Sequence, residues 1–176
     1  MYTIIYFSPT GNSKHLTKIL ARELGLNESE LLPLEFTKPN ELKPNKHLVL
    51  VFPIHGFNAP RTVKRFVKNI PNRLFEKVSL IAVGCNDLWL NNAVSLDLRR
   101  TFKKKSITII VDEIIAMPLT FVMAFPVETK DKVISEGEKK IIKIGETIAN
   151  NVVSNNKVKL KSKLVNLIGK IFPEFH

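Results

Sequence analysis

The sequence is poor in cysteine, in long apolar runs and in glycine-rich phosphate motifs. Its single cysteine, Cys85, excludes a disulfide within the chain and an iron–sulfur cluster held by cysteines of this chain alone. The longest uncharged run covers residues 114–127, which is too short to span a bilayer and contains Pro118 and Pro126. No basic-then-apolar stretch precedes the first apolar run, so we expect no signal peptide and a reducing, cytoplasmic location.

Acidic residues are also scarce relative to basic ones. The chain has 27 Lys and Arg against 16 Asp and Glu, which gives a net charge of +11. No Arg-rich helix and no interleaving of aromatic and basic residues accompany this excess, so we expect no nucleic-acid partner. We interpret the lysines as a dispersed solvated surface, whose positive field would attract acidic proteins.

Small polar residues are concentrated near the start of the chain. The apolar run at residues 2–7 leads into a turn that contains Ser8, Thr10, Gly11, Asn12 and Ser13, and a helical pattern follows. Hydroxyls, backbone N–H groups and a helix N-terminus can together surround a phosphate. The turn is neither a Walker loop nor a dinucleotide fingerprint, because it lacks their glycines. An ordinary helix cap needs one hydroxyl rather than three, so we favour a phosphate site.

Five apolar runs alternate with helical patterns, at residues 2–7, 31–36, 48–53, 78–84 and 107–116. This alternation predicts an α/β fold with a five-stranded parallel sheet and helices on both faces. Five parallel strands joined by crossovers fit the strand order 2-1-3-4-5 of one common doubly wound sheet. The run at 31–36 is short and predicts an edge strand. Sheets of this kind bind ligands at the carboxyl ends of strands one and three, where the winding reverses.

Helix boundaries follow from caps and apolar spacing. The first helix should end at Gly25, and the second should begin after Pro60. The third should be capped by Asn91 or Asn92 and contain Val94, and the fourth should be long, with apolar residues from 134 to 148.

Two loops at the predicted ligand edge carry glycine, aromatic and amide groups. One follows strand three over residues 52–60, and the other follows strand four over residues 84–92. Together with the first turn, these segments resemble the flavodoxin superfamily, most narrowly the flavodoxin half of flavodoxin–ferredoxin fusion proteins. The similarity rests on residues 6–13, 52–60 and 117–121 and is spread over residues 1 to about 150.

The resemblance implies a flavodoxin-like three-layer sandwich and one non-covalent FMN for electron transfer. Ser8, Thr10, Asn12 and Ser13 would then hold the phosphate beside Gly11. The ring would lie between two sets of residues: Pro53, Ile54, His55, Gly56 and Phe57 on one side, and Gly84, Cys85, Asn86 and Trp89 on the other. Aromatic groups would supply ring faces, and the Gly56 peptide could reorient cheaply. We expect no metal site and no essential catalytic side chain.

Two features depart from the resemblance. The fusion proteins continue into a domain with cysteine-rich cluster motifs, which these 176 residues lack, so we expect any cluster to belong to another polypeptide. The redox partner would then be an acidic ferredoxin or iron–sulfur protein, although flavodoxins themselves are usually acidic and this chain is basic. An FMN-dependent NAD(P)H:quinone or flavin reductase, with His55 as proton donor, is the second hypothesis. A flavin-free binding module is the third.

Residues 156–176 form a basic tail after a predicted domain over residues 1–155. No acidic residue occurs between positions 157 and 172, and the apolar members of this segment fall on one helical stripe: Leu164, Val165, Ile168, Ile171 and Phe172. We predict a helix that packs on its own domain, ahead of one that docks a partner. Contact with a membrane surface ranks last.

Overall fold

The computed structural model describes residues 1–84, 91–118, 127–155 and 160–169. Its strands are β1 (Tyr2–Tyr6), β2 (Leu32–Pro33), β3 (Asn45–Pro53), β4 (Phe75–Gly84), β5 (Thr108–Ala116) and β6 (Ser154–Asn155). Its α-helices are α1 (Asn12–Glu23), α2 (Arg61–Asn69), α3 (Leu96–Lys104), α4 (Val127–Ala149) and α5 (Leu160–Gly169).

All strand pairs are parallel, and the order across the sheet is β2-β1-β3-β4-β5-β6. The predicted parallel arrangement 2-1-3-4-5 is therefore confirmed, with the two-residue strand β6 added beside β5. Residues 48–52 of β3 and 80–83 of β4 are continuously apolar, as expected for strands that helices cover on both faces. α1 and α4 pack on one face, and α2 and α3 pack on the other, each pair over its own apolar cluster.

Two sequence predictions about element boundaries are wrong. The run at residues 31–36 forms a strand only over Leu32–Pro33, because Leu34–Phe36 turns into a 3₁₀ helix. The third helix begins at Leu96 with Ser95 as its N-cap, so Val94 precedes it and neither Asn91 nor Asn92 caps it. Ser95 is held in place from the sheet, since its hydroxyl donates to the buried carboxylate of Asp112 in β5 at 2.5 Å.

The other helices agree with the sequence. Gly25 follows the first helix with φ +70°, and Pro60 directly precedes the second. The predicted long helix is α4, with 23 residues, and α5 lies within the predicted tail helix. Across the described ranges, every helix is too short or too polar to cross a membrane. The boundary between residues 155 and 156 stays a prediction.

Candidate functional site

The hydroxyl-rich turn joins the end of β1 to the start of α1. Its Gly11 is the N-cap of α1 and has φ +95°, a left-handed conformation that glycine adopts without strain. Among the described residues, none has an atom within 4 Å of where a Cβ at this position would lie. Ser8 Oγ accepts a hydrogen bond from the Lys14 N–H at 2.9 Å and caps the helix in place of the N-cap residue.

The start of α1 favours an anion electrostatically. By helix geometry, the N–H groups of Asn12 and Ser13 have no acceptor within the helix. The first turn contains no acidic residue, and the helix dipole adds a partial positive charge at this end. Thr10 is exposed, whereas Ser13 is 2% exposed, so these two of the three predicted hydroxyl ligands lie at different depths.

Asn12 connects this turn to the far side of the sheet. Its Nδ2 donates to the Pro118 carbonyl at 2.8 Å. The side-chain NH₂ group of this predicted phosphate ligand therefore already has an acceptor in the segment after β5. The Met117 N–H donates to the Gly84 carbonyl at 2.7 Å, one residue earlier in the same segment. The ends of β1, β4 and β5 are therefore joined at the carboxyl edge of the sheet, where ligands bind in folds of this topology.

The loop after β3 forms a tight turn over residues 55–58. His55 and Asn58 exchange two backbone hydrogen bonds, both at 2.9 Å. The central residues Gly56 and Phe57 have φ +52° and +62°, and positive φ at both positions is the mark of a type I′ turn. Phe57 is a non-glycine residue in the left-handed region and its side chain is 40% exposed.

This turn lies beside the first one. The rings of Phe7, directly after β1, and His55 meet edge to face with centroids 6.4 Å apart. Ile54 donates its N–H to the Val83 carbonyl at 2.8 Å. A Cβ on Gly84 would lie 2.8 Å from Ile54 Cδ1, so the glycine at the end of β4 allows the β3 loop to approach closely. The structure thus brings the predicted phosphate turn and the β3 side of the predicted ring site together.

Most residues predicted for the other side of the ring belong to the segment after β4. Cys85, Asn86 and Trp89 lie outside the described residues, and their roles stay predictions. The described chain resumes at Asn91, which is buried, and the nearby Val94 carbonyl accepts a hydrogen bond from the Ala59 N–H at 3.1 Å.

Sequence reasoning missed a pair of buried amides at this edge. Asn166 of α5 is 3% exposed and Asn58 of the β3 loop is 4% exposed. Asn166 Nδ2 lies 2.8 Å from Asn58 Oδ1, and Asn58 Nδ2 donates to the Asn166 carbonyl at 2.9 Å. The only signal for Asn166 in the sequence is its position as a polar residue among Leu, Val and Ile neighbours.

Two buried titratable groups lie elsewhere and serve the fold. His47, near the amino end of β3, contacts Ser79 Oγ through Nε2 at 2.8 Å, and burial lowers its pKa from 6.5 to about 4. Burial raises the pKa of Asp112, against the opposing effect of Arg99. Within the described ranges, no group of three His, Cys, Asp or Glu side chains is arranged to hold a metal ion.

Comparisons with known proteins agree with the topology. No family model and no curated protein matches the chain. Among solved structures, a flavodoxin from Streptococcus pneumoniae TIGR4 matches with a TM-score of 0.58 at 15% identity, over 86% of this chain and 99% of its own. Oxidised flavodoxin 1 from Bacillus cereus also matches with a TM-score of 0.58, at 10% identity over 85% of this chain and 97% of its own.

An enzyme matches about as well as these flavodoxins. It is the NAD(P)H:quinone oxidoreductase from Methanothermobacter marburgensis, with a TM-score of 0.57 at 10% identity, over 84% of this chain and 98% of its own. Identities this low carry the fold and not the activity. The chain has a flavodoxin-like fold.

Proposed function

We propose that the protein binds one FMN per chain and carries electrons. The observation that supports this most is the start of α1 at Gly11. No described residue fills the space beside Gly11, and the first turn of the helix has N–H groups without helical acceptors and no acidic residue. The hydroxyls of Ser8, Thr10 and Ser13 belong to the same turn. The β3 turn next to it contributes a ring contact between Phe7 and His55 at the same sheet edge.

The residues have separate roles in this proposal. The Thr10 and Ser13 hydroxyls and the first-turn N–H groups of α1 would bind the phosphate. The Ser8 hydroxyl proton could still donate to it while the Ser8 oxygen caps the helix. Residues 53–57 would flank the ring, and Cys85, Asn86 and Trp89 are proposed for its other side. FMN, when bound, supplies one- or two-electron chemistry, and the protein sets its orientation and surroundings.

The phosphate assignment is tested by the double variant Thr10→Val with Ser13→Ala. Each lost charge-assisted bond should weaken FMN by ~1.5–3 kcal/mol, which is about 10- to 150-fold in Kd. Thr147→Val on α4, a half-buried threonine far along the chain, is the matched control and should leave the affinity unchanged. Equal FMN affinity in the wild type and the double variant would contradict the assignment.

The reductase hypothesis is the second candidate, because an NAD(P)H:quinone oxidoreductase shares the fold as closely as the flavodoxins do. Anaerobic mixing of the FMN-loaded protein with NADH or NADPH separates the two. A carrier should show slow bleaching of the flavin with no saturation in nicotinamide. Rapid, saturable bleaching that slows in His55→Gln would favour the enzyme.

We also propose an acidic cytoplasmic redox partner, such as a ferredoxin, attracted by the net charge of +11. The tail carries five lysines: Lys161 and the exposed Lys163 lie in α5, and Lys157, Lys159 and Lys170 lie outside the described residues. Because α5 is bonded to the β3 loop, deleting the tail would disturb the site itself. Changing these five lysines to Glu is the better test, and it should slow association with an acidic ferredoxin at low salt without weakening FMN. An association rate that neither the charge reversal nor salt changes would contradict steering.

A further inference from the structure

The turn at residues 55–58 needs support from outside itself. Phe57 has φ +62°, which a residue with a side chain adopts only at a cost that its surroundings must offset. The turn's own two backbone hydrogen bonds join His55 to Asn58 and leave the carbonyl groups of Gly56 and Phe57 to other donors.

Both of these carbonyl groups are held by the buried amide pair. Asn58 Nδ2 donates to the Gly56 carbonyl at 3.1 Å and to the Asn166 carbonyl at 2.9 Å. Asn166 Nδ2 donates to the Phe57 carbonyl at 3.1 Å and to Asn58 Oδ1 at 2.8 Å. The carbonyl groups of both central residues of the turn are therefore oriented by one residue within the loop and one residue of the C-terminal helix.

Asn166 also reaches the segment after β4. Its Nδ2 lies 3.0 Å from the carbonyl oxygen of Ala93, which is completely buried before the start of α3. One amide of α5 thus connects the β3 loop to the chain that follows the β4 loop. The β3 loop and the β4 loop are the two loops between which the ring of FMN is proposed to lie.

We infer that Asn166 is a positioning residue: acting from α5 through Asn58, it fixes the 56–57 peptides and the segment at Ala93 in the arrangement that receives the flavin ring. The inference rests on the proposed FMN function. It gives the C-terminal helix a role in setting cofactor affinity and redox potential, besides any role in partner docking.

Native-state hydrogen exchange of the wild-type apoprotein tests the coupling without any substitution. The His55 and Asn58 amides, which form the turn's backbone bonds, should open together with the amides of α5 as urea is raised. Turn amides that open while α5 stays protected, or the reverse, would overturn the inference. This readout does not depend on FMN, so it separates failure of the inference from failure of the proposed function.

Substitution of Asn166 then tests the consequence for the cofactor. Asn166→Ala should raise the Kd for FMN by about tenfold or more, as expected from losing several neutral hydrogen bonds at the ring loops. It should also shift the redox potential of the bound FMN, which a loss of overall stability alone would not do.

The matched control is Ser162→Ala, one turn earlier on the same helix. Ser162 is buried, and no described residue bonds to its hydroxyl, so its loss should leave both Kd and potential unchanged. If Asn166→Ala binds FMN with wild-type affinity and potential, the inference is wrong. If the wild type itself binds no FMN while the turn and α5 still open together, the proposed function fails and the structural coupling stands.

Discussion

Replacing Gly11 with alanine separates the backbone strain of the phosphate turn from its contacts with a ligand. Gly11 has φ +95° and Gly25, at the other end of α1, has φ +70°. No described residue lies within 4 Å of a Cβ at either position, so steric overlap with the described part of the chain contributes to neither substitution. Gly25→Ala is therefore a control matched in helix, conformation and packing.

The two variants should be alike in stability. Forcing an L-residue into the left-handed region costs about 1–2 kcal/mol. For a chain of this size, that loss lowers Tm by about 2–8 °C. Differential scanning calorimetry of the two apoproteins should therefore give similar decreases in Tm.

The two variants should differ in FMN binding. Strain that is present with and without ligand cancels in the Kd, so Gly25→Ala should bind FMN as the wild type does. At Gly11 the added methyl occupies the space from which backbone N–H groups face the phosphate, and losing one charge-assisted bond weakens FMN by about 10- to 150-fold. Fluorescence titration measures both affinities. Equal affinity in the two variants would refute the assignment of the phosphate to this turn.

Three further outcomes are expected. Wild-type stability should fall as pH falls from 6.5 towards about 4, because His47 takes up a proton in the unfolded chain but stays neutral when buried in the folded protein. In His47→Gln the urea midpoint should depend less on pH in the upper part of this window. An unchanged pH dependence would contradict burial of a neutral imidazole. Gly137→Ala places a Cβ 2.9 Å from the Ala116 carbonyl oxygen and should cost about 1–3 kcal/mol by urea unfolding. Gly145→Ala places a Cβ 2.9 Å from Glu23 Cβ, which moves only with α1, and should destabilise the protein by a similar amount. Wild-type stability in either variant would contradict this reasoning. Trp89 fluorescence should be quenched on addition of FMN, and emission that FMN leaves unchanged would place Trp89 away from the ring.

The sheet could be predicted because residues close together in the sequence signal each strand and each helix. Both β3 and β4 contain a continuous apolar run, and the alternation with helices leaves few topologies. Gly25 ends α1 as predicted, since a glycine after an amphipathic run is itself the signal for a left-handed helix end. The hydroxyl-rich turn was visible for the same reason, because all its candidate residues lie within six positions of one another.

The missed features depend on partners distant in sequence. Ser95, the N-cap of α3, bonds to Asp112, 17 positions later in β5, and nothing in residues 91–95 signals that partner. Asn58 and Asn166 are 108 positions apart, so neither residue's neighbours reveal the pair. The left-handed conformation of Phe57 is equally hidden, since a phenylalanine at that turn position runs against local preference and depends on the helix packed against it.

Titration of the apoprotein with FMN, and in parallel with riboflavin, tests the central claim most directly. The two ligands share the ring and differ in the phosphate, so their comparison reports the turn at residues 8–13 as well as binding itself. We predict saturable binding of one FMN per chain, with a changed visible spectrum and with riboflavin bound at least about tenfold more weakly, as expected from loss of charge-assisted bonds. Absence of saturable FMN binding would contradict the cofactor, and equal affinity for riboflavin would contradict the phosphate site.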